Sequence, residues 1–399
     1  MARMHEVIDE LQLPKDRIPE LWEPYFVAAQ QKYAQPQENR DRYSLNWYRQ
    51  LNRWLDFNEI HMELILAAAS RIAQQQSLYQ WSCFVRYLLY DTLIIRKDEK
   101  VLYNLLPKDR LPAASQDLFF LVSMLSGADR SIDEYKASGK ESKQIEAAFG
   151  IVKVLLDNYH RIFHRWGTPV EGILPRLAWG SLLVYEGLAF EYTHVALPGR
   201  IYRNARSGEL VMLADGGQLY DKNGFRLPAR EEQRLLSSRL ASEPLIDEAQ
   251  LSKQTEPGAQ PLTAANQLPE DIWETKFFNT ESGGFVGNIL GPDGMPRSSV
   301  RIFESGHWMP VLDDSSPVLK LYVPDESFAR RERLAAAASQ AITAARQSKL
   351  DPKAIILESW LLDPRLVTYL PADAELLAFV REFKLYPLPF NREESFLQT

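Results

Sequence analysis

At 399 residues the chain is too long for one ordinary hydrophobic core, so two domains are expected. Hydrophobic residues make up 45% and charged residues 25%, a globular balance that excludes a largely disordered chain. A net charge of -7 argues against phosphate-backbone binding, so no nucleic-acid partner is expected, and the single cysteine, Cys83, excludes an internal disulfide or a cysteine-based zinc cluster.

From the start to about Gly167 the apolar spacing predicts helices throughout. The helical segments are Leu21–Tyr33, Tyr43–Leu55, Leu64–Ala73, Leu78–Ile95, Leu118–Leu125 and Ile145–Phe163. The first residues are charged where a signal peptide needs an apolar run, and Leu118–Leu125 falls far short of the ~20 residues of a membrane helix. No membrane partner is expected, and the protein is expected to be cytoplasmic. Residues 1–167 read as a helical bundle domain. Residues 168–399 read as a second, mixed domain, with a polar insertion or linker at 230–270.

A last helix is expected at Ile173–Gly180. Leu182–Thr193 then reads as one long strand or as two pieces bent at Gly187. Short apolar runs between Arg200 and Leu227, separated by glycine-bearing turns, predict an antiparallel meander, and a short helix follows at Glu231–Leu240. Strands are expected again at Thr275–Asn279, Gly284–Leu290 and Ser298–Phe303. The run Pro317–Pro324 predicts a strand, Phe328–Gln347 an alanine-rich helix capped by Asp325 or Ser327, and Ala354–Trp360 a second strand. Strand, crossover helix and strand make one βαβ unit, which sets the two strands parallel. Short helices at Arg365–Leu370 and Ala374–Glu382 and a closing strand at Phe383–Leu388 complete the reading.

The order of elements in the second half resembles the GNAT acyltransferase superfamily. More closely, the chain is similar to bacterial two-domain proteins that pair a helical N-acyltransferase N-terminal domain with a GNAT-like C-terminal domain. The residues that carry the resemblance are Phe285–Asn288, Gly291–Gly294, Trp308, the strand Val318–Pro324, Ser359–Pro364 and Phe383–Pro387. The fold class it implies is α+β: an all-helical N-terminal domain, then a mixed α/β domain with an antiparallel sheet and one parallel βαβ unit. It implies an acyl-CoA co-substrate, acetyl-CoA or another, lying between two splayed parallel strands. Leu319, Leu321, Tyr322 and Val323 would supply backbone to the pantetheine, and Ser327, Arg330 and Arg331 would meet the pyrophosphate at the following helix N-terminus. The usual glycine-bearing phosphate loop is replaced by Phe328–Arg333, which has no glycine. Trp360 and Asp363 would line the acyl end, although Asp363 equally suits an N-cap for a helix starting at Pro364.

Glu358, beside Ile356 and Trp360 on the second parallel strand, is the candidate base for an amine. Tyr369 holds the position of a proton donor to the leaving thiolate; a packing role is its plainer reading. The arginines of the crossover helix likewise read equally as a solvated face. His160 and His164 share a helix face with Asp157, but no third strong ligand is identifiable, and no metal is expected. Cys83 reads as a buried apolar thiol. Two functions follow: an acyl-CoA-dependent N-acyltransferase acting on a small-molecule amine, or a non-catalytic GNAT frame that binds a small molecule or a protein.

Overall fold

A computed structural model of the chain describes residues 3–34, 37–107, 110–111, 115, 117–194, 199–242, 268–291, 295–313, 315–363 and 366–383. The helical region contains α1 (Met4–Leu11), α2 (Glu23–Ala29), α3 (Gln37–Asp41), α4 (Leu45–Leu55), α5 (Glu59–Gln74) and α6 (Gln76–Asp91). It continues with α7 (Ile94–Lys97), α8 (Val101–Asn104), α9 (Phe119–Leu125), α10 (Ala128–Ala137), α11 (Ser142–Phe163) and α12 (Ile173–Ala178). Strands β1 (Leu182–Tyr185) and β2 (Leu188–His194) form an antiparallel hairpin. Its two-residue turn places Glu186 at φ 52° and Gly187 at φ 79°, the left-handed pair that matches the twist of the strands. A Cβ on Gly187 would also stand 2.8 Å from the Phe328 ring, so glycine is required twice over.

After β3 (Gly199–Asn204), β4 (Leu210–Ala214) and β5 (Leu219–Asp221) come α13 (Ala229–Ser242), β6 (Ile272–Glu274) and β7 (Phe277–Asn279). Next are β8 (Phe285–Leu290), β9 (Pro296–Phe303), β10 (Trp308–Leu312), β11 (Pro317–Tyr322), α14 (Arg331–Gln347), β12 (Ala354–Leu357), α15 (Leu366–Tyr369) and α16 (Glu375–Val380). The expected closing strand lies outside the described residues. Among the described residues no helix is long and apolar enough to cross a membrane.

Two compact units result. One joins the chain up to Thr193 with Val318–Phe383; the other contains His194–Pro317. The linear division at 167/168 therefore falls inside the first unit, because β1 and β2 leave the meander that follows them and pair with the βαβ strands. The second unit is an antiparallel sheet in the order β10-β3-β4-β8-β7, with β9 beside β8 and a separate β5-β6 pair. Its core gathers Tyr202, Val211, Leu213, Phe285 and Phe303. Buried Asn288 accepts from the Lys276 N–H and donates to the Arg297 carbonyl, which satisfies backbone where the register of β8 with β9 shifts. Trp308–Leu312 proved to be a strand against β3, missed because Pro310 interrupts its pattern.

In the first unit, four strands run in the order β1-β2-β11-β12, and β11 and β12 are parallel as expected. Alternation sends their side chains to two faces. Leu188, Phe190, Leu319, Leu321, Ile355 and Leu357 pack against Ala337 and Ala341 of α14 and Phe379 of α16. Small alanines let the helix approach the sheet closely. Leu182, Ala189, Val184 and Tyr322 point the other way, into the core of the helical region. The sheet is thus sandwiched between α14 and the bundle.

Within the bundle the backbone of α2 runs on into a π-helical turn at Gln30–Ala34, which carries Tyr33 to Asp91. The Tyr33 hydroxyl donates to Asp91 Oδ2 at 2.6 Å, and Arg130 and Lys32 both donate to Oδ1 at 2.7 Å. Burial raises the Asp91 pKa, but these three donors more than offset it and hold the carboxyl below its usual range. A depressed carboxylate contributes stability that is present above the ordinary value of about 4 and lost as pH falls through the lower folded value. Denaturant midpoints measured from pH 7 down to 3 should fall along an acid limb that Asp91→Asn flattens. An unchanged limb in that variant would contradict the assignment.

Candidate functional site

The ladder between β11 and β12 runs from Val318↔Ala354 to Leu321↔Leu357 and stops there. Up to that point β11 has hydrogen-bonded neighbours on both sides, β2 and β12. Leu319 and Leu321 are therefore engaged through their backbone and buried through their side chains, at 0% and 1% exposure. The expectation of a free edge along Leu319–Val323 is corrected accordingly. Tyr322, the last residue of β11, and Val323 follow the last register pair, as Glu358 and Ser359 follow it on the neighbouring segment.

Beyond β11 the chain makes a short 3-10 turn, Glu326–Phe328, before the helix begins. Asp325 caps that turn by accepting from the Ser327 N–H at 2.8 Å, so neither Asp325 nor Ser327 caps α14. The N-cap is Arg330, in extended conformation, and its side chain makes no capping bond to the first turn of α14. An uncapped first turn offers N–H groups and a positive dipole end to an anion. The two arginines beside it are drawn aside: Arg330 pairs with Glu375 at 2.9 Å and Arg331 with Glu382 at 2.7 Å. Both pairs are exposed and therefore weak. The acidic groups of the loop are held as well, since Arg161 of α11 meets Glu326 at 2.6 Å and Asp325 at 3.5 Å. Asn158 Nδ2 donates to the Pro324 carbonyl at 3.0 Å, so α11 grips the loop that leads into α14.

The sheet face turned toward the bundle carries polar groups where an apolar sandwich would have none. Lys320 and Glu358 join across β11 and β12 at 2.8 Å on the partly open side. Deeper in, the Tyr322 hydroxyl donates to Glu191 Oε2 at 2.8 Å, and Arg176 Nε donates to the same oxygen at 3.0 Å. Arg176 also reaches Glu99 and, at 3.2 Å, the Gly172 carbonyl, while the Gly172 N–H donates to Glu99 Oε2 at 2.9 Å. Burial pushes the Tyr322 hydroxyl well above its ordinary pKa, and the neighbouring Glu191 carboxylate adds to the rise. Tyr322 thus stays protonated, a donor to Glu191 whose oxygen lone pairs remain usable.

Of the residues singled out from sequence, Tyr322, Val323 and Glu358 meet at the end of the ladder, with Ser327, Arg330 and Arg331 at the turn that follows. Trp360 and Tyr369 stand out in solvent, 68% and 80% exposed. Glu99, Arg176 and Glu191 were not anticipated. The only local trace is Glu191 in the apolar run Leu188–Tyr192, and its partners are distant in sequence. Elsewhere, Asp157 bonds to His61 Nε2 at 2.8 Å, and His160 stacks on Trp166 at 4.1 Å. Among the described residues no group of three His, Cys, Asp or Glu side chains could hold a metal. Burial pushes the Cys83 thiol up to about 12, as befits a packing residue and not a nucleophile.

Arg176 is bonded to two largely buried carboxylates, Glu99 and Glu191. Arg176→Met should cost about 3–5 kcal/mol in a urea denaturation, the usual penalty for stranding buried charge, with Arg176→Lys intermediate. A loss below about 1 kcal/mol would show that the pairs are replaceable by water.

Residues 259–398 match the family of GNAT-like C-terminal domains. Among curated proteins no relative of the sequence was found. Among solved structures, the chain is similar to an acyltransferase in complex with decanoyl-CoA, at 13% identity and a TM-score of 0.51, over 100% of this chain and 86% of that one. A structure of an acyltransferase with CoA and 10C-teicoplanin matches 96% of this chain and 81% of its own, at 12% identity and a TM-score of 0.44. The first likeness is one of fold. Its C-terminal residues 259–398 are thus similar to GNAT-like C-terminal domains, and the chain, helical in its N-terminal region, has an α+β fold like that of an acyltransferase.

Proposed function

We propose that the protein is an acyl-CoA-dependent N-acyltransferase that passes an acyl group to a small-molecule amine. The observation that carries this reading is the end of the parallel ladder at Leu321↔Leu357, followed after one 3-10 turn by an α14 N-terminus with no side-chain cap. A long thioester carrier fits that arrangement, with pantetheine against Tyr322 and Val323 and pyrophosphate at the first turn of α14. Arg330 and Arg331 would exchange Glu375 and Glu382 for phosphate, at little cost because both pairs are exposed. The family match over residues 259–398 and the fold shared with an acyltransferase that binds decanoyl-CoA support the same conclusion.

In the reaction the amine nitrogen attacks the thioester carbonyl carbon, a C–N bond forms, and the C–S bond breaks. The proton released by the amine passes to Glu358, and the sulfur leaves as thiolate and takes up a proton, with Tyr369 or water as its source. Positioning and polarisation of the carbonyl supply most of the rate. Acetyl-CoA and longer acyl-CoAs are all candidates for the donor.

The second reading, a GNAT frame that binds without catalysing, is favoured by the glycine-free phosphate turn and by the exposure of Tyr369. Calorimetry on the full chain separates the two. The acyltransferase reading predicts saturable binding of acetyl-CoA or decanoyl-CoA. Glu358→Gln should then keep that binding and lower turnover by about 10²- to 10⁴-fold, the usual worth of a positioned base. Absence of binding by either thioester at millimolar concentration would favour the non-catalytic frame.

A further inference from the structure

We infer that Glu191 is the carboxylate that receives the amino group of the acceptor, and that Arg176, backed by Glu99, is its positioning residue. This rests on the acyltransferase reading and adds the residues by which the helical region enters the reaction. Both Glu99 oxygens are occupied, Oε1 by Arg176 and Oε2 by the Gly172 N–H. Among the described residues, the bonds that Arg176 and Tyr322 give to Glu191 both end on Oε2, and Oε1 is the oxygen placed to accept from an incoming N–H donor. Two carboxylates around one guanidinium leave a formal charge of -1 within the network, from two negative groups and one positive. An enclosed excess charge is unfavourable, and a protonated amine against Oε1 balances it. The Glu191 and Arg176 side chains keep 13% and 16% exposure, so the network is sheltered but reachable.

Placement adds to the argument. Tyr322 is the first residue past the ladder, so an ammonium held by Glu191 and the Tyr322 oxygen would sit where the thioester carbonyl is expected. Glu358 lies on the same sheet face, past the end of β12, and is placed to take the proton that must leave the ammonium before the neutral amine attacks, while the second N–H proton passes to the departing thiolate. Arg176 fixes Glu191 from the bundle side, and its own position is fixed by Glu99 and the Gly172 carbonyl.

The test uses the full chain and two cations at matched ionic strength. n-Butylammonium carries charge and N–H donors; tetramethylammonium carries charge alone. The wild type is expected to bind the first and not the second. Glu191→Gln keeps a carbonyl oxygen for Arg176 and Tyr322 but removes the charge. It should weaken n-butylammonium by at least about tenfold, the worth of one charge-assisted hydrogen bond, while decanoyl-CoA affinity changes little. Arg176→Lys should show the same split, a weaker ammonium site with donor binding retained, which a general loss of structure would not produce. Equal n-butylammonium affinity in the wild type and Glu191→Gln, no binding in the wild type, or equal binding of the two cations would each overturn the inference. Should Glu191→Gln not fold, the comparison of cations on the wild type decides. Ammonium binding without decanoyl-CoA binding would count against the acyltransferase reading alone.

Discussion

One guanidinium, that of Arg176, ties the helical region to the sheet. It is held by Glu99 from the turn before α8 and by Glu191 from β2, and through Glu191 it fixes the hydroxyl of Tyr322 at the end of β11. Removing two carboxylates and an arginine from water is repaid only where geometry is good and the remaining donors and acceptors are satisfied. Gly172 meets that condition on one side, giving its N–H to Glu99 and its carbonyl to Arg176. A purely apolar sandwich would have been simpler to build. Its replacement by a polar network beside an interrupted ladder is what makes this face of the sheet the candidate site.

The same sheet shows how a division of labour arises from strand alternation. Residues facing α14 are leucine, isoleucine and phenylalanine against alanine, and they serve packing alone. Residues facing the bundle include Glu191, Lys320, Tyr322 and Glu358, which bear charge or a hydroxyl. A one-residue slip of β11 would exchange the two sets and destroy both core and site. The ladder of β11 with β12 therefore does double duty, fixing the register and ending where Tyr322 becomes available.

Much of the fold was legible because it is local. The helical spacing before Gly167 and the proline-bounded strand before an alanine-rich helix each follow from short-range pattern, and the parallel pairing follows from the crossover. A break at Gly187 is one of two readings of Leu182–Thr193, and its hairpin pairing needed the structure. Strand β10 escaped because Pro310 masks its pattern, and the α14 cap was misassigned because an extra 3-10 turn intervenes after Asp325. The site was legible only in part. Glu358 could be named from its place on the second strand and Tyr322 through the resemblance alone, whereas Glu99 and Arg176 stand 77 residues apart and Glu191 and Tyr322 131 apart. Nothing in the spacing of a single chain reveals that such residues meet. The compact units were hidden for the same reason: pairing of β2 with β11 joins segments separated by the whole meander.

The central claim is that the strands part functionally where the ladder ends, and amide hydrogen exchange with and without decanoyl-CoA tests it most directly. The ligand should slow exchange at Tyr322–Val323, Ser359–Trp360 and the first turn of α14, while Leu319–Leu321, already laddered, stays as it was. Unchanged exchange at all of these amides, or protection confined to other parts of the chain, would contradict the account.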